Sequence, residues 1–250
     1  MTQEALNPQD INKMLGKDNE VKELREKTYP NLIKDFIPTA ANQLWVSDIT
    51  YIVVMDDESH YHFVYLSLIL DAYSEEIVGW SVGPTLDTDY PMAALRMALK
   101  RIDGLDVSLI HHSDRGCQYA SRVYMDTLRN HEIAISMTES GDPKDNAQAE
   151  RINNTMKNEL LKDKVFTSID EVIAAVVVAV DFYNNRYPHM SIGMMKQSEA
   201  INLTGERDMK WTSYRQMAIK TSNKAPIPEY PLLMNPCQGL TGGRRPEGNP

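Results

Sequence analysis

The sequence predicts an α/β protein: a five-stranded mixed sheet, its first three strands antiparallel, flanked by helices on both faces. Three observations carry this. Strand-like stretches follow one another between residues 44 and 83 with short turns between them. From residue 87 the apolar spacing turns helical and then alternates helix, strand, helix, strand. Beyond residue 205 proline and glycine become frequent, and little regular structure is expected there.

These patterns divide the chain into an N-terminal helical segment and linker (1–40), a compact core (41–204) and a basic, then Pro/Gly-rich tail (205–250). The polar stretch to about Tyr29 reads as one or two helices, and "YPNLIKDFIPTAANQ" as an extended connector with two prolines. "LWVSDITYIVV" (44–54) alternates as a strand should, and "DDES" (56–59) is a turn. "YHFVYLSLILDAY" (61–73) places Val64, Leu66, Leu68 and Leu70 on one strand face, and "EEIVGWSVG" (75–83) follows after a short turn. Ala94, Leu95, Ala98, Leu99 and Ile102 form the apolar stripe of a helix over 87–102. "VSLIHHS" (107–113) is the fourth strand, 121–133 a helix and 134–138 a short fifth strand. A helix is predicted over 145–164, with Asp145 as N-cap and Gln148 three residues on. "SIDE" (168–171) is a capping box that opens the last helix, which runs to about Tyr183. Within it "VIAAVVVAV" is half the length of a membrane span and reads as a buried helix.

With 250 residues the chain can bury one substantial core. Two cysteines, Cys117 and Cys237, are too few for a disulfide framework and predict a reducing, cytoplasmic home. The first thirty residues hold no unbroken apolar stretch, which argues against a signal peptide. No membrane partner is expected. The formal charge of −9 argues at first against nucleic acid, but the acid is concentrated between residues 48 and 145, which carry 17 acidic and 7 basic groups. Residues 146–250 carry 11 acidic and 13 basic groups. Lys210, Arg215, Lys220 and Lys224 follow one another without an intervening acid, with Trp211 and Tyr214 among them. Such a stretch suits phosphate contact and base stacking, and equally a solvated basic tail.

Three carboxylates fall at telling places. Asp48 lies inside the first strand, where a charge is unfavourable unless it is paired or bound to metal. Asp114 lies just past the end of the fourth strand, and Glu150 in the first turns of the helix that follows Asp145. The first strand of such a sheet is usually central and the fourth can sit beside it, so the two aspartates would meet and the helix could bring Glu150 to them. Converging carboxylates repel one another, and divalent cations relieve the repulsion. Hard oxygen ligands without a thiolate favour Mg²⁺ or Mn²⁺. Two such ions about 4 Å apart can stabilise the attacking and leaving oxygens of a phosphoryl transfer.

Four segments, "NQLWVSDITYI", "HHSDRGCQYAS", "GDPKDNAQAERINNTMKNEL" and "YNNRYPHMSIG", together resemble the transposases of bacterial insertion sequences of the copy-out, paste-in type. Those proteins carry a retroviral-integrase-type catalytic core with the ribonuclease H-like fold. The family places 35 residues between its second aspartate and its glutamate, as stand here between Asp114 and Glu150. The resemblance runs from about Asn31 to Ala200 and implies that Asp48, Asp114 and Glu150 hold two Mg²⁺ (or Mn²⁺) ions, Asp48 bridging both. It implies DNA as substrate, at element ends and target, and DNA cleavage and strand transfer as the reaction. Lys157, seven residues after Glu150, matches a basic family position and is expected to contact DNA, with Arg151 and Asn154 beside it and Lys210, Trp211 and Arg215 in the tail. Tyr119 and Gln118 fit either the DNA groove or helix packing. His112 is expected to orient the strand end or Asp114, and Arg115 to offset the local acid. The Gly116 turn is expected to clear room for phosphate.

The sequence departs from the family at Cys117, in the run "AERINN" and in its short N-terminal helical stub. The stub implies a downstream-frame product or a shortened one, for which an upstream-frame helix-turn-helix protein or segment would recognise the ends, and strand transfer implies a homo-oligomer on DNA, associated with the bacterial nucleoid when bound. Two other readings stay open on sequence: a non-catalytic DNA-binding relative, and a ribonuclease H-type nuclease that hydrolyses without joining.

Overall fold

A computed structural model describes residues 29–55, 60–139 and 143–205. The predicted N-terminal helices, the 56–59 turn and the tail with Lys210, Trp211 and Arg215 lie outside the described residues. Five strands form one sheet: β1 (Leu44–Met55), β2 (Tyr61–Asp71), β3 (Ile77–Gly83), β4 (Ile110–Ser113) and β5 (Ala134–Met137). Their spatial order is β3-β2-β1-β4-β5. The first three pair antiparallel, whereas β4 joins β1, and β5 joins β4, in parallel. The parallel pairs need crossovers, and helices supply them: α1 (Asp89–Leu99), then the short α2 (Cys117–Ala120) with α3 (Arg122–Asn130). After β5 come a 3₁₀ turn (Pro143–Asn146), α4 (Ala147–Thr155), a π turn (Met156–Leu160) and α5 (Ile169–Arg186). A 3₁₀ turn (Met190–Ile192) and α6 (Gln197–Ala200) complete the described chain.

Strand alternation divides the core into two layers. Val46, Ile52, Val54, Val64, Leu66 and Leu68 face one side and pack on Ala149 and Ile152 of α4 and Val172 and Val176 of α5. Trp45, Ile69 and Val78 face the other, against Ala94 and Leu95 of α1 and Tyr124 and Leu128 of α3. Leu66 and Leu68 are essentially inaccessible, and each such side chain contributes about 1.5–3 kcal/mol. Helix α1 lies so close on β3 that a Cβ at Gly79 would stand 2.2 Å from the Ala94 carbonyl oxygen.

Several elements differ from the sequence expectation for identifiable reasons. Strand β4 begins at Ile110, not Val107, because its partners Gln43 and Leu44 set where pairing starts. The helix predicted over 145–164 is three pieces, and Asp145 is not its cap: α4 starts after Asn146, without a side-chain cap bond. Ser168 does cap α5, accepting from the Glu171 N–H, and the helix runs on to Arg186. The "VIAAVVVAV" stretch is buried along one face only; Val177 and Val178 are exposed. Among the described residues no helix is long and apolar enough to cross a membrane.

The β2–β3 turn is more polar than its position suggests. Asp71, fully buried, accepts from the N–H groups of Tyr73 (3.1 Å) and Ser74 (2.7 Å) with Oδ1, and from Asn42 N–H (2.6 Å) with Oδ2. Glu75 follows in the left-handed region at φ 60°, which an L-residue adopts only when its surroundings hold it there.

Candidate active site: carboxylates at the end of the parallel pair

The parallel pairing of β1 and β4 ends at Ser47 opposite Ser113. Asp48 is the next residue of β1 and Asp114 the first residue past β4, so the pairing register sets the two aspartates side by side. Asp48 sits on the α4 side of the sheet, and Asn146 Nδ2 ties the start of α4 to the Ser47 carbonyl at 3.0 Å. One turn into α4 stands half-buried Glu150, near enough for its charge to act on Asp48.

Electrostatics register the convergence. Asp48 is raised from 3.8 to about 6, first by burial, with the Asp114 and Glu150 charges adding to it; the Ile49 N–H and Asn153 bonds oppose the rise. Burial also raises Asp114, against the Gly116 N–H bond. Among the described residues no group of three or more His, Cys, Asp or Glu is closed tightly enough to form a ready-made metal cluster. The donor set nonetheless fits a hard divalent cation: it is all oxygen, it repels itself, and a cation would offset both the repulsion and the desolvation.

Asn153, which the sequence reading passed over in favour of its exposed neighbour Asn154, donates from Nδ2 to Asp48 Oδ2 at 2.8 Å. Its Oδ1 is buried without a hydrogen-bond partner in the structure. The signal was available: Asn153 stands three residues after Glu150, so the two share a helix face.

His112 is held in place as expected of an orienting residue. Its Nδ1 meets Ser136 Oγ (2.8 Å) and its Nε2 the Asp145 carbonyl (3.0 Å), which links β4, β5 and the approach to α4. His111 points to the other face, against Ser47 Oγ (2.8 Å) and Tyr124 OH (3.0 Å). Burial lowers it to about 3, so it stays neutral. Arg115 donates to the Thr138 carbonyl at 2.7 Å. Gly116 gives its N–H to Asp114 Oδ1 at 2.9 Å, and a Cβ there would stand 2.9 Å from that same oxygen. The glycine therefore makes room for the Asp114 carboxylate. Gly116→Ala should lower stability by no more than about 1 kcal/mol, because side-chain ends can give way. Displacing Asp114 should lower turnover by about 10²-fold, and comparing thermal unfolding with activity separates the two effects.

Two expected DNA contacts are placed elsewhere. Tyr119 is buried in the α1–α3 layer and packs edge-on against Tyr124, so of the two readings the sequence left open, helix packing is the one realised. Arg151 points away from the carboxylates, and its guanidinium meets both oxygens of buried Glu75 at 2.8 Å. Helix geometry explains this, since residues adjacent in a helix lie about 100° apart around its axis. Lys157 lies in the π turn with Nζ 3.7 Å from the centroid of the Tyr51 ring.

Comparison with known proteins follows these features. Two family models, each described as an integrase core domain, match residues 38–143 and 131–196. A transposase for insertion sequence element IS629 from Shigella sonnei is 35% identical over 169 residues, 67% of this chain and 54% of that protein. A putative transposase for IS986/IS6110 from Mycobacterium tuberculosis is 38% identical over 156 residues, 60% of this chain and 54% of that protein. A putative transposase, InsK, for IS150 of Escherichia coli K12 is 31% identical over 179 residues, covering 71% and 61%. The chain thus spans little more than half the length of the first relatives it matches. In fold it resembles a chain from the cryoEM structure of the simian T-cell lymphotropic virus intasome in complex with PP2A regulatory subunit B56 gamma. That match has a TM-score of 0.54 at 16% identity and covers 71% of this chain and 63% of the other. The five-stranded mixed sheet with helices on both faces is the ribonuclease H-like fold expected from sequence.

Proposed function

This chain belongs to the integrase core family, which it shares with insertion-sequence transposases, and from that premise we propose that it catalyses DNA strand cleavage and strand transfer for a mobile element. The observation that carries the reading is the placement of Asp48 and Asp114 together at the end of the β1–β4 pair, with the helix that carries Glu150 bonded to the same strand through Asn146 and Asn153.

Asp48, Asp114 and Glu150 are the residues that would hold divalent cations, Mg²⁺ or Mn²⁺, two in number. When bound, such ions act as Lewis acids toward the attacking and leaving oxygens of an in-line phosphoryl transfer. Asp48, central among the three, is the group suited to be shared. Asn153 fixes the orientation of the Asp48 carboxylate through its Nδ2 and leaves Oδ1 facing inward as a further acceptor. His112 and Asn146 hold the start of α4 against the sheet, so Glu150 approaches from a fixed direction. Lys157 and Asn154, which follow Glu150 along the chain, are the groups we assign to the DNA backbone, a contact that would position the substrate without reading its sequence. Strand transfer implies at least two protomers, one for each element end, and an upstream-frame helix-turn-helix segment would supply recognition of those ends.

The full chain, incubated with duplex DNA carrying the element's terminal sequences, should nick it and join the 3′ ends to target DNA in Mg²⁺ or Mn²⁺ but not in EDTA, read on a denaturing gel. Binding without nicking in Mn²⁺ would point to a non-catalytic relative. Hydrolysis without joining, on DNA lacking element ends, would point to a nuclease.

A further inference from the structure

Strand β1 outlasts its parallel partner. Its pairing with β4 stops at Ser47, while its pairing with β2 continues to Met55 opposite Tyr61. From Ile49 onward one edge of β1 is therefore open. Residues of an antiparallel strand direct their N–H and C=O groups alternately to the two sides. Gln43 and Met55 direct theirs away from β2, toward Ile110 and Phe166 respectively, so Ile49, Tyr51 and Val53 direct theirs the same way. The Ile49 N–H is taken by Asp48 Oδ1 at 2.9 Å. Those of Tyr51 and Val53 open onto a cleft of about 460 Å³ between β1 and the π turn with the loop that follows it.

Three lysines, Lys157, Lys162 and Lys164, line this cleft, opposed only by Asp163 among its lining charges. None of the three has a carboxylate within ion-pair distance among the described residues. The concentration of positive charge stands out in a chain of net charge −9. Tyr51, 49% exposed, forms part of the wall and carries the Lys157 ammonium over its ring. The π turn shapes the cleft. Its wider ring, closed by the Leu161 N–H to Met156 O bond at 2.9 Å, departs from α geometry at the residue before Lys157.

We propose that this cleft is a binding site for the DNA phosphate backbone, with Lys162, Lys164 and the Tyr51 and Val53 N–H groups as its donors and Tyr51 as the ring that holds Lys157 in position. The inference rests on the reading of this chain as a DNA-acting protein and extends the DNA path away from the carboxylates. Tyr51 is three residues from Asp48, about 10 Å along an extended strand. A duplex DNA strand advances about 3.4 Å along the axis per phosphate, so one whose phosphate lies at Asp48 would reach the cleft within about three nucleotides. Ammonium groups and backbone N–H groups are the donors that phosphate oxygens accept from, and they do so without sequence preference.

The test measures binding of the full chain to a labelled DNA duplex of arbitrary sequence as a function of salt concentration. Lys162→Gln with Lys164→Gln should lower the slope of log K against log salt by about 2, since each phosphate neutralised contributes about 0.9. Lys100→Gln, an exposed lysine at the end of α1 and remote in sequence from the cleft, should leave the slope unchanged. Tyr51→Phe should bind as the parent does, whereas Tyr51→Leu should weaken binding because the ring that holds Lys157 is lost. An unchanged slope in the double variant, or an equal loss in Lys100→Gln, would overturn the proposal. A chain that binds through the cleft but never cuts DNA leaves the cleft standing and removes the transposase reading. A chain that cuts and joins DNA with an unchanged slope in the double variant removes the cleft alone.

Discussion

Asp48→Asn is expected to abolish DNA strand cleavage and strand transfer while making the metal-free chain more stable at neutral pH. The loss follows from the site: an amide is a poor ligand for a hard cation, and losing one electrostatic contributor of this kind lowers turnover by at least about 10²–10³-fold. The gain follows from burial. Asp48 is raised from 3.8 to about 6 by desolvation, with Asp114 and Glu150 adding to it. A carboxyl whose folded-state value lies above its unfolded value favours folding fully below about pH 4, and that contribution disappears as pH rises through about 6. Above that, the ionised group works against the fold, by an upper limit of about 3 kcal/mol for a shift of this size. Asparagine removes the charge, and its single oxygen keeps one of the two bonds that Asp48 accepts, from Ile49 N–H or from Asn153 Nδ2; the bond given up costs about 1 kcal/mol, less than the charge it removes. Thermal unfolding in EDTA should therefore place Asp48→Asn above the parent at pH 7.5 and level with it near pH 4. Retained cleavage would sink the site assignment, and a variant less stable than the parent at pH 7.5 would sink the electrostatic account.

That pairing of effects explains why the carboxylates were legible in the sequence. A charge inside an apolar strand is an anomaly visible without coordinates, and the 35-residue interval from Asp114 to Glu150 gave it a partner. Strand order was legible too, because three strands in succession followed by helical crossovers leave few arrangements, and β1 beside β4 is one of them. What stayed hidden depends on rotation about helix axes and on turn chemistry. Charge and polarity near Glu150 point to Arg151 and Asn154, yet α4 directs Arg151 to Glu75 and brings Asn153 to Asp48. A single extra residue of backbone in the π turn is likewise invisible to pattern reading, because Met156–Leu160 has ordinary helix-forming composition. Tyr119 shows a third limit. Aromatic residues serve grooves and cores alike, and only the packing of α2 and α3 on α1 decides between them.

A second large effect on stability is expected at the ion pair between Glu75 and Arg151, the latter a DNA contact in the sequence expectation. Glu75 is 1% exposed, and its carboxylate accepts from Arg151, from Ser191 Oγ at 2.8 Å and from Gln148 Nε2 at 3.3 Å. One buried charge thus joins the β2–β3 turn, α4 and the segment after α5, and it does so from a backbone in the left-handed region. Arg151→Met removes the cation that meets this charge among the described residues. Breaking a buried pair from one side typically destabilises by about 3–5 kcal/mol. The Arg151 side chain is 45% exposed and the Ser191 and Gln148 donors stay in place, so the low end, about 3 kcal/mol, is expected. Glu75→Gln combined with Arg151→Met removes the charge as well, and should recover most of the loss. Unfolding in urea of the parent, both single variants and the double variant isolates the pairwise contribution. Losses that simply add would mean that the pair is incidental. The same variants bear on the site, since Arg151 directly follows Glu150 and fixes the roll of α4. Arg151→Met should therefore lower turnover more than the unfolded fraction accounts for, and Arg151→Lys, which keeps the charge but not the two-oxygen contact, should fall between it and the parent in both measurements.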